Sequence, residues 1–285
     1  MARLIAATIW SEIIPTCMVM NSPRPTSRRP RRKTVLFLLL ALFLIPVAAR
    51  AALFSFEDRP RSFRDADWSS TGSLPAASAF PDARVLVFSG RTGGWKGVVA
   101  VHSWIVFKRE NARTWTRYDV VGWGNPVRMN GWPPDGRWFG TAPTIVAQIK
   151  GADAQALIPK IEAAIHDYEF ANSGDYRIYP GPNSNTFVAA ILRAVPEMKA
   201  TLTPNAIGRD FRPGPYLGWT DSGTGVEASA WGLLGVKLGW VEGIEVNVLG
   251  LVAGLDLRQP ALKVPAFGRL GLEFGQSATA AVAAR

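Results

Sequence analysis

Hydrophobic and polar positions fall into three regimes along the chain. The first is an apolar run, "TVLFLLLALFLIPVAA", from Thr34 to Ala49, directly after "RRPRRK". As a helix these residues span about 24 Å, and continuation through Arg50 into "AALF" supplies the length a bilayer core requires, because Arg snorkels to the headgroups. The run also fits the apolar core of a secretory signal, with Ala49 and Ala51 in an A-x-A arrangement. Both readings place the rest of the chain outside the cytoplasm. The second regime, from Pro81 to Met198, mixes periods. "ARVLVFSG" (83–90), "GVVAVHSWIVFK" (97–108) and "TWTRYDVVGWG" (114–124) predict strands, the last two antiparallel across "RENA". A Pro/Gly loop follows at 125–140, long enough to act as a lid. "PTIVAQIKG" predicts a short helix stopping at Gly151. Asp153 then caps a second helix with Leu157, Ile158, Ile161, Ile165 and Tyr168 on one face, kinked by or starting near Pro159. "DYRIYP" predicts a short strand and "SNTFVAAILRAVPEM" (184–198) a helix with a stripe of Phe187, Val188, Ile191, Leu192 and Val195. The third regime, Gly218 to Leu272, holds 11 of the 27 glycines. Val236, Leu238 and Trp240 alternate there with Lys237 and Gly239, and Ile244, Val246 and Val248 with Glu245 and Asn247, which predicts a hairpin with one wet face.

These regimes divide the chain into a basic leader (1–33), a transmembrane anchor or signal segment (34–52), a linker without sustained period (53–82), an α+β core (83–213) and a glycine-rich β extension (214–285). With 48% apolar residues the chain has ample material for a core. Its net charge of +10 is concentrated in the leader, where seven Arg/Lys face only Glu12. A basic tail beside an apolar run sets membrane orientation, and the body shows no basic face interleaved with aromatics, so nucleic acid is not an expected partner. Cys17, the one cysteine, lies in the leader, so the exported part has no disulfide, cysteine nucleophile or thiolate zinc site. Only two histidines are present, His102 and His166, which argues against a histidine metal site. "GRTGGWKG" (90–97) lacks the spacing of a phosphate loop and is read as a turn. No metal or cofactor is expected.

The candidate chemistry centres on "YPGPNSNTF" (179–187), where Ser184 stands between Asn183 and Asn185 in the first turn of a predicted helix. Ser and Asn are favoured caps, and Ser184 is not in a G-x-S-x-G elbow. The alternative role is a nucleophile, with Asn183 or Asn185 donating to an oxyanion. His102 interrupts a strand suited to burial, either as a satisfied structural residue or as a general base. If residues 97–108 and 114–122 pair about a turn near Asn111, His102 falls opposite 119–120, so Asp119 or Tyr118 would orient it, depending on a one-residue slip. Pairing of Asp119 with Arg117 or Arg128 is the structural alternative. Six of the eleven tryptophans lie between Trp95 and Trp138. Trp104 and Trp123 fit a core, while Trp132 and Trp138 in the Pro/Gly loop either close over a substrate, with Tyr118 beside it, or pack on the core.

A strand histidine followed much later by an N-C-N-x-F motif opening a helix is the pattern of circularly permuted papain-like domains, the group of permuted NlpC-type peptidases and lecithin retinol acyltransferase-like proteins. "VHSWIVF" and "NSNTF" resemble that pattern, with Ser184 where the cysteine would stand and His102 where the base would stand. The resemblance implies an antiparallel sheet packed on helices, and proton transfer from Ser184 to His102 during attack. A hydroxyl is far less acidic than a thiol, and the helix dipole alone does not ionise it. Nearer still, "VHSWIVF", "YDVVGWG", "PDGRWFG", "YPGPNSNTFVA" and "NAIGRDF" are similar to the bacterial, membrane-associated family called domain of unknown function 3750, over roughly residues 83–213. Together these imply a module anchored in the cytoplasmic membrane, or secreted if the leader is cleaved, with its body in the periplasm. It would bind cell-wall peptide, glycan or lipid without catalysis, or alternatively use Ser184, His102 and Asp119 as a serine-dependent acyl or amide hydrolase or transferase.

Overall fold

The computed structural model describes residues 32–271. The leader, Cys17 and the last residues of the chain lie outside them, apart from Arg32 and Lys33. Helix α1 runs from Arg32 to Ser55, 24 residues with Pro46 inside, and is long and apolar enough to cross a membrane or to serve as a signal sequence. Leu36 to Leu40 are exposed, and only Phe43 and Phe54 are buried, so α1 meets the body along a narrow stripe.

The first sheet is antiparallel, with strand order β4-β3-β2-β1-β5. Its strands are β1 (Arg84–Arg91), β2 (Val101–Lys108), β3 (Thr116–Val120), β4 (Val127–Met129) and β5 (Thr144–Lys150). The first three match the predicted strands. Strand β5 corrects the helix expected at 143–151: it pairs with β1, with a register shift at Val87/Phe88. Ile145 and Ile149 lie one helical turn apart and imitate an amphipathic stripe, but Ile145, Val146 and Ile149 are β-branched and the free edge of β1 needs a partner. Gly151, at φ +68°, turns β5 into helix α2 (Gly151–His166) and does not end a helix. Pro159 sits inside α2, whose buried face is the predicted one. "DYRIYP" forms no strand. Helix α3 spans Ser184–Ala194, with Phe187, Val188, Ile191 and Leu192 buried.

Pleating gives the sheet two different faces. Val85, Val87, Ile105, Phe107 and Val120 meet α2 and α3 in the larger core. Leu86, Phe88, Trp104, Val106 and Val121 are closed on the other side by Trp138, with Trp68, Trp132 and Phe139 around it. The aperiodic segment after α1 supplies part of that cover. Ser70 bridges Gly136, Asp135 accepts from Ser70 Oγ (2.6 Å) and Leu74 N (3.2 Å), and Trp115 Nε1 donates to Pro75 O (2.9 Å).

The second sheet is a seven-stranded antiparallel meander of β6 (Pro215–Trp219), β7 (Gly225–Ala230), β8 (Leu234–Gly239), β9 (Gly243–Val248), β10 (Leu251–Asp256), β11 (Ala261–Val264) and β12 (Gly268–Gly271). The predicted hairpin is β8–β9, turning at Gly243 with φ +72°. Its faces are the reverse of the expectation. Lys237, Glu245 and Asn247 are buried, while Val236, Leu238, Ile244 and Val246 are exposed.

Candidate functional site

The turn before α3 is tight, and Asn183 is its cap. Asn183 Oδ1 accepts from the amides of Asn185 (2.9 Å) and Thr186 (3.2 Å), and Thr186 Oγ1 accepts from the Asn183 amide (3.1 Å), which completes a capping box. Asn183 Nδ2 donates to the carbonyls of Ile178 (3.0 Å) and Ile207 (3.1 Å), and Asn185 Nδ2 to those of Val101 (2.8 Å) and Ile207 (2.8 Å). Thr186 Oγ1 donates to Gly208 O (2.7 Å). A Cβ on Gly208 would lie 2.3 Å from Asn183 Nδ2, so this residue, at φ +97°, has no room for a side chain. The two asparagines therefore lash α3 to the start of β2 and to residues 205–211. Ser184 is the first helical residue, buried, and its Oγ makes no hydrogen bond among the described residues.

His102 belongs to the other face of the sheet. Ile105 pairs with Tyr118, one step beyond the expected register, so Asp119 lies across from Trp104 and diagonal to His102, on the same face. The His102 ring stacks on Trp138 at 3.7 Å and 4°, and its Nε2 is 3.7 Å from Asp119 Oδ2, too long for a hydrogen bond. Asp119 instead accepts from Arg117 Nη2 (2.6 Å) and Nε (3.1 Å), and the guanidinium lies 4.2 Å over Trp104. Arg117 Nη1 donates to Pro133 O (2.8 Å). Burial lowers the His102 pKa below its ordinary value, and the nearby Asp119 carboxylate only partly opposes this. The neutral ring leaves Nε2 without a hydrogen-bond partner, as is Asp119 Oδ1.

The predicted site residues thus form two groups. His102, Asp119, Trp132 and Trp138 come together in a tryptophan-lined interior, with Trp132 and Trp138 at 5.2 Å. Asn183, Ser184 and Asn185 come together at the head of α3. Strand alternation puts the five-stranded sheet between the groups, because β2 turns Val101, Ile105 and Phe107 towards the helices and His102, Trp104 and Val106 away. Tyr118 packs on the helix side against Phe107 and donates to Met129 Sδ (3.1 Å), so it does not share the His102 face. The 125–140 loop is pinned down: Trp104 Nε1 donates to Pro134 O (2.9 Å), and Trp138 is buried. Trp123, in contrast, is exposed beyond the end of β3. Thr186 and Gly208 were not singled out from the sequence, although "NSNTF" and "NAIGRDF" contain them.

"NAIGRDF" also ties the core to the second sheet. Arg209 pairs with Glu245, and Asp210 with Lys237 (2.6 Å) and Asn247 Nδ2 (2.8 Å). Arg212 pairs with Glu227 (2.7 Å) and Asp221 (3.1 Å), and Lys263 with Glu245 (2.5 Å). All of these are buried. Burial alone disfavours the Asp210 carboxylate, but Lys237 and Arg209 overcome it and hold its pKa well below the carboxylate range. Burial raises the Glu227 pKa, with Lys237 and Arg212 opposing. A recess lined by Asp210, Glu227, Lys237, Glu245 and Asn247 has room for about one water molecule. Among the described residues no group of His, Cys, Asp and Glu is placed to hold a metal ion.

The fold defines an α+β protein in which a membrane-length helix precedes a sheet covered by two helices and then a seven-stranded meander. Residues 82–211 match the family described as "Protein of unknown function (DUF3750)", and this stretch is a domain of that family. It contains both groups of site residues and ends at the Arg209–Asp210 tie. No curated protein and no solved structure matches the chain.

Proposed function

We propose that the chain is a membrane-held, non-catalytic module of the bacterial envelope, built on a permuted papain-like frame whose catalytic positions have taken structural roles. The observation that carries this reading is the division of Ser184 from His102 by the sheet, with Asn183 and Thr186 committed to a capping box and His102 stacked on Trp138. A serine needs a base within hydrogen-bond reach, and Ser184 has no such bond to His102. The order of parts, a histidine strand, its partner, then a helix opened by Asn183-Ser184-Asn185, supports the papain-like frame. The seven basic residues of the leader, the last two of them opening α1, favour a cytoplasmic leader and a periplasmic body. Peptide, glycan or lipid is the expected class of ligand.

The unbonded Ser184 Oγ at a helix N-terminus favours the second reading, a serine-dependent acyl or amide hydrolase. Fluorophosphonate treatment of the full chain in mild detergent separates the two, with Ser184→Ala and His102→Ala as controls. No labelling is expected. Labelling that disappears in both variants, with each still folded, would overturn the non-catalytic reading.

A further inference from the structure

We propose that the outward face of the seven-stranded sheet docks on a phospholipid bilayer, at the acyl–headgroup boundary of one leaflet beside α1. This deepens the membrane-held reading and rests on it. The cross-strand register defines one continuous row over the whole sheet: Trp219, Val226, Leu238, Ile244, Leu255, Leu262 and Leu270. Each of these is between 42% and 68% exposed. At the usual strand spacing the row is about 29 Å wide. The neighbouring row runs through Glu227, Lys237, Glu245, Gly254, Lys263 and Arg269. It is buried at Glu227, Lys237, Glu245 and Lys263 and exposed only at Arg269, on the edge strand β12. Alternation is therefore kept across the sheet, with the charges of β7, β8, β9 and β11 covered and the hydrocarbon uncovered. A water-facing sheet has the opposite arrangement, and a monomer rarely exposes so large a continuous apolar patch.

Three observations point to lipid as the occupant. Helix α1 packs against β10, in the interior of the sheet, so the membrane-length segment and the apolar face adjoin. Ala253, which shares the outward face through its pairing with Val246, is 6% exposed, in keeping with α1 lying over that strand. Trp219, Trp231 and Trp240 stand exposed at strand ends and turns, where an indole has its apolar body in the acyl region and its N–H among headgroups. Strand length then limits the depth. The strands hold 4 to 6 residues, whereas a membrane-crossing strand needs about 9–11. Among the described residues the edges at β6 and β12 are open, which a lipid-immersed wall does not tolerate, so the face rests on the boundary and does not span.

The test uses the full chain in phosphatidylethanolamine–phosphatidylglycerol vesicles, with Cys17→Ser removing the one native thiol. An environment-sensitive fluorophore is attached at Val236→Cys or Leu262→Cys on the sheet, at Leu40→Cys in α1, or at Lys160→Cys on the exposed side of α2. Lipids carrying acyl-chain spin labels are then added to the vesicles. The expected result is blue-shifted emission and loss of most of the signal at 40, 236 and 262, with 160 unaffected. Leu238→Glu with Leu270→Glu, both at exposed positions, should release the sheet probes and leave position 40 quenched. Quenching at 40 alone overturns the docking and leaves the anchor intact, whereas quenching at none of the three overturns both. A blue shift at 236 and 262 that follows protein concentration, without quenching, assigns the face to a second copy of the chain and overturns the lipid proposal.

Discussion

The five-stranded sheet is mainly apolar on both faces, with His102 and the Arg117–Asp119 pair set into the tryptophan side, and is covered on both, by α2 and α3 on one side and by the tryptophan shell on the other. The seven-stranded sheet has one charged face and one apolar face, and the covered one is charged. Hydrocarbon removed from water stabilises the first sheet at roughly 25 cal/mol per Å², wherever it comes from. The second depends on whether each buried charge finds its partner, because desolvation of an ion costs several kcal/mol unless geometry repays it. Period-two alternation therefore reports that two faces differ, and not which of them meets solvent.

The largest effect expected from this contrast is at Asp210. Removing its carboxylate leaves Lys237 with only Glu227, at 3.6 Å, and takes one of the two acceptors of Asn247 Nδ2, all in a buried setting, so Asp210→Ala should cost about 3–5 kcal/mol. Denaturant unfolding of the full chain in mild detergent, followed by tryptophan fluorescence, measures it. Asp210→Leu combined with Lys237→Met removes both charges, and it should recover most of the loss. If the single variant is as stable as the parent, the charged face is hydrated and the contrast between the sheets fails.

Next comes Leu86, fully buried in the first sheet beside Trp104. Leu86→Ala should cost about 3 kcal/mol through lost transfer energy and a residual cavity. Val236→Ala on the uncovered face of the second sheet is expected to stay within about 0.5 kcal/mol in the same assay. Equal losses at the two positions would mean that the outward face is packed against protein.

Much of the fold is legible in particular residues. The β1 and β2 runs follow from short continuous apolar stretches buried on both faces, and the Leu157–Ile158–Ile161–Ile165 stripe of α2 and the β8–β9 hairpin from periodicity, since each of these has one face to bury. Strand β5 was not legible, because "TIVAQI" is too short to distinguish a helical stripe from a half-buried edge strand. The association of Asp119 with His102 was readable, although the register was not, because residues on alternate rungs of neighbouring strands share a face over more than one offset. The sheet standing between Ser184 and His102 could not be read. Which side of a strand meets a helix placed 80 residues later depends on the packing of the whole domain. Inversion of the second sheet escaped for a related reason: the partners of Glu245 and Lys237 are Arg209 and Asp210, on a segment outside the hairpin.

At the head of α3 the expected effect is smaller. Asn183→Ala removes the cap and the two hydrogen bonds its Nδ2 donates to the Ile178 and Ile207 carbonyls, and it should cost about 2 kcal/mol, the upper end for an N-cap. Asn183→Asp keeps the acceptor for the helix amides and should recover part of this. His102 gives a pH-dependent effect. The folded state holds the imidazole neutral where the unfolded chain would protonate it, so the unfolded state binds more protons. Stability from this residue is therefore complete above the ordinary imidazole value of 6.5 and is lost as the pH falls through the lowered folded value. His102→Phe, which keeps a ring against Trp138, should flatten that part of the stability–pH curve. An unchanged curve would mean that water reaches the ring.

Ser184→Ala is expected to change least, within about 0.5 kcal/mol. Asn183, and not Ser184, is the cap, and the Ser184 hydroxyl contributes no hydrogen bond among the described residues, so its loss leaves no buried partner unsatisfied. Alanine is also a good helix former for a first-turn position. The comparison with Asn183→Ala is what gives this near-zero value its meaning. Two adjacent positions at one helix terminus should differ by more than a kcal/mol if the motif is a structural clamp. A loss at Ser184 as large as at Asn183 would show that the hydroxyl is engaged, and the head of α3 would then be a working site after all.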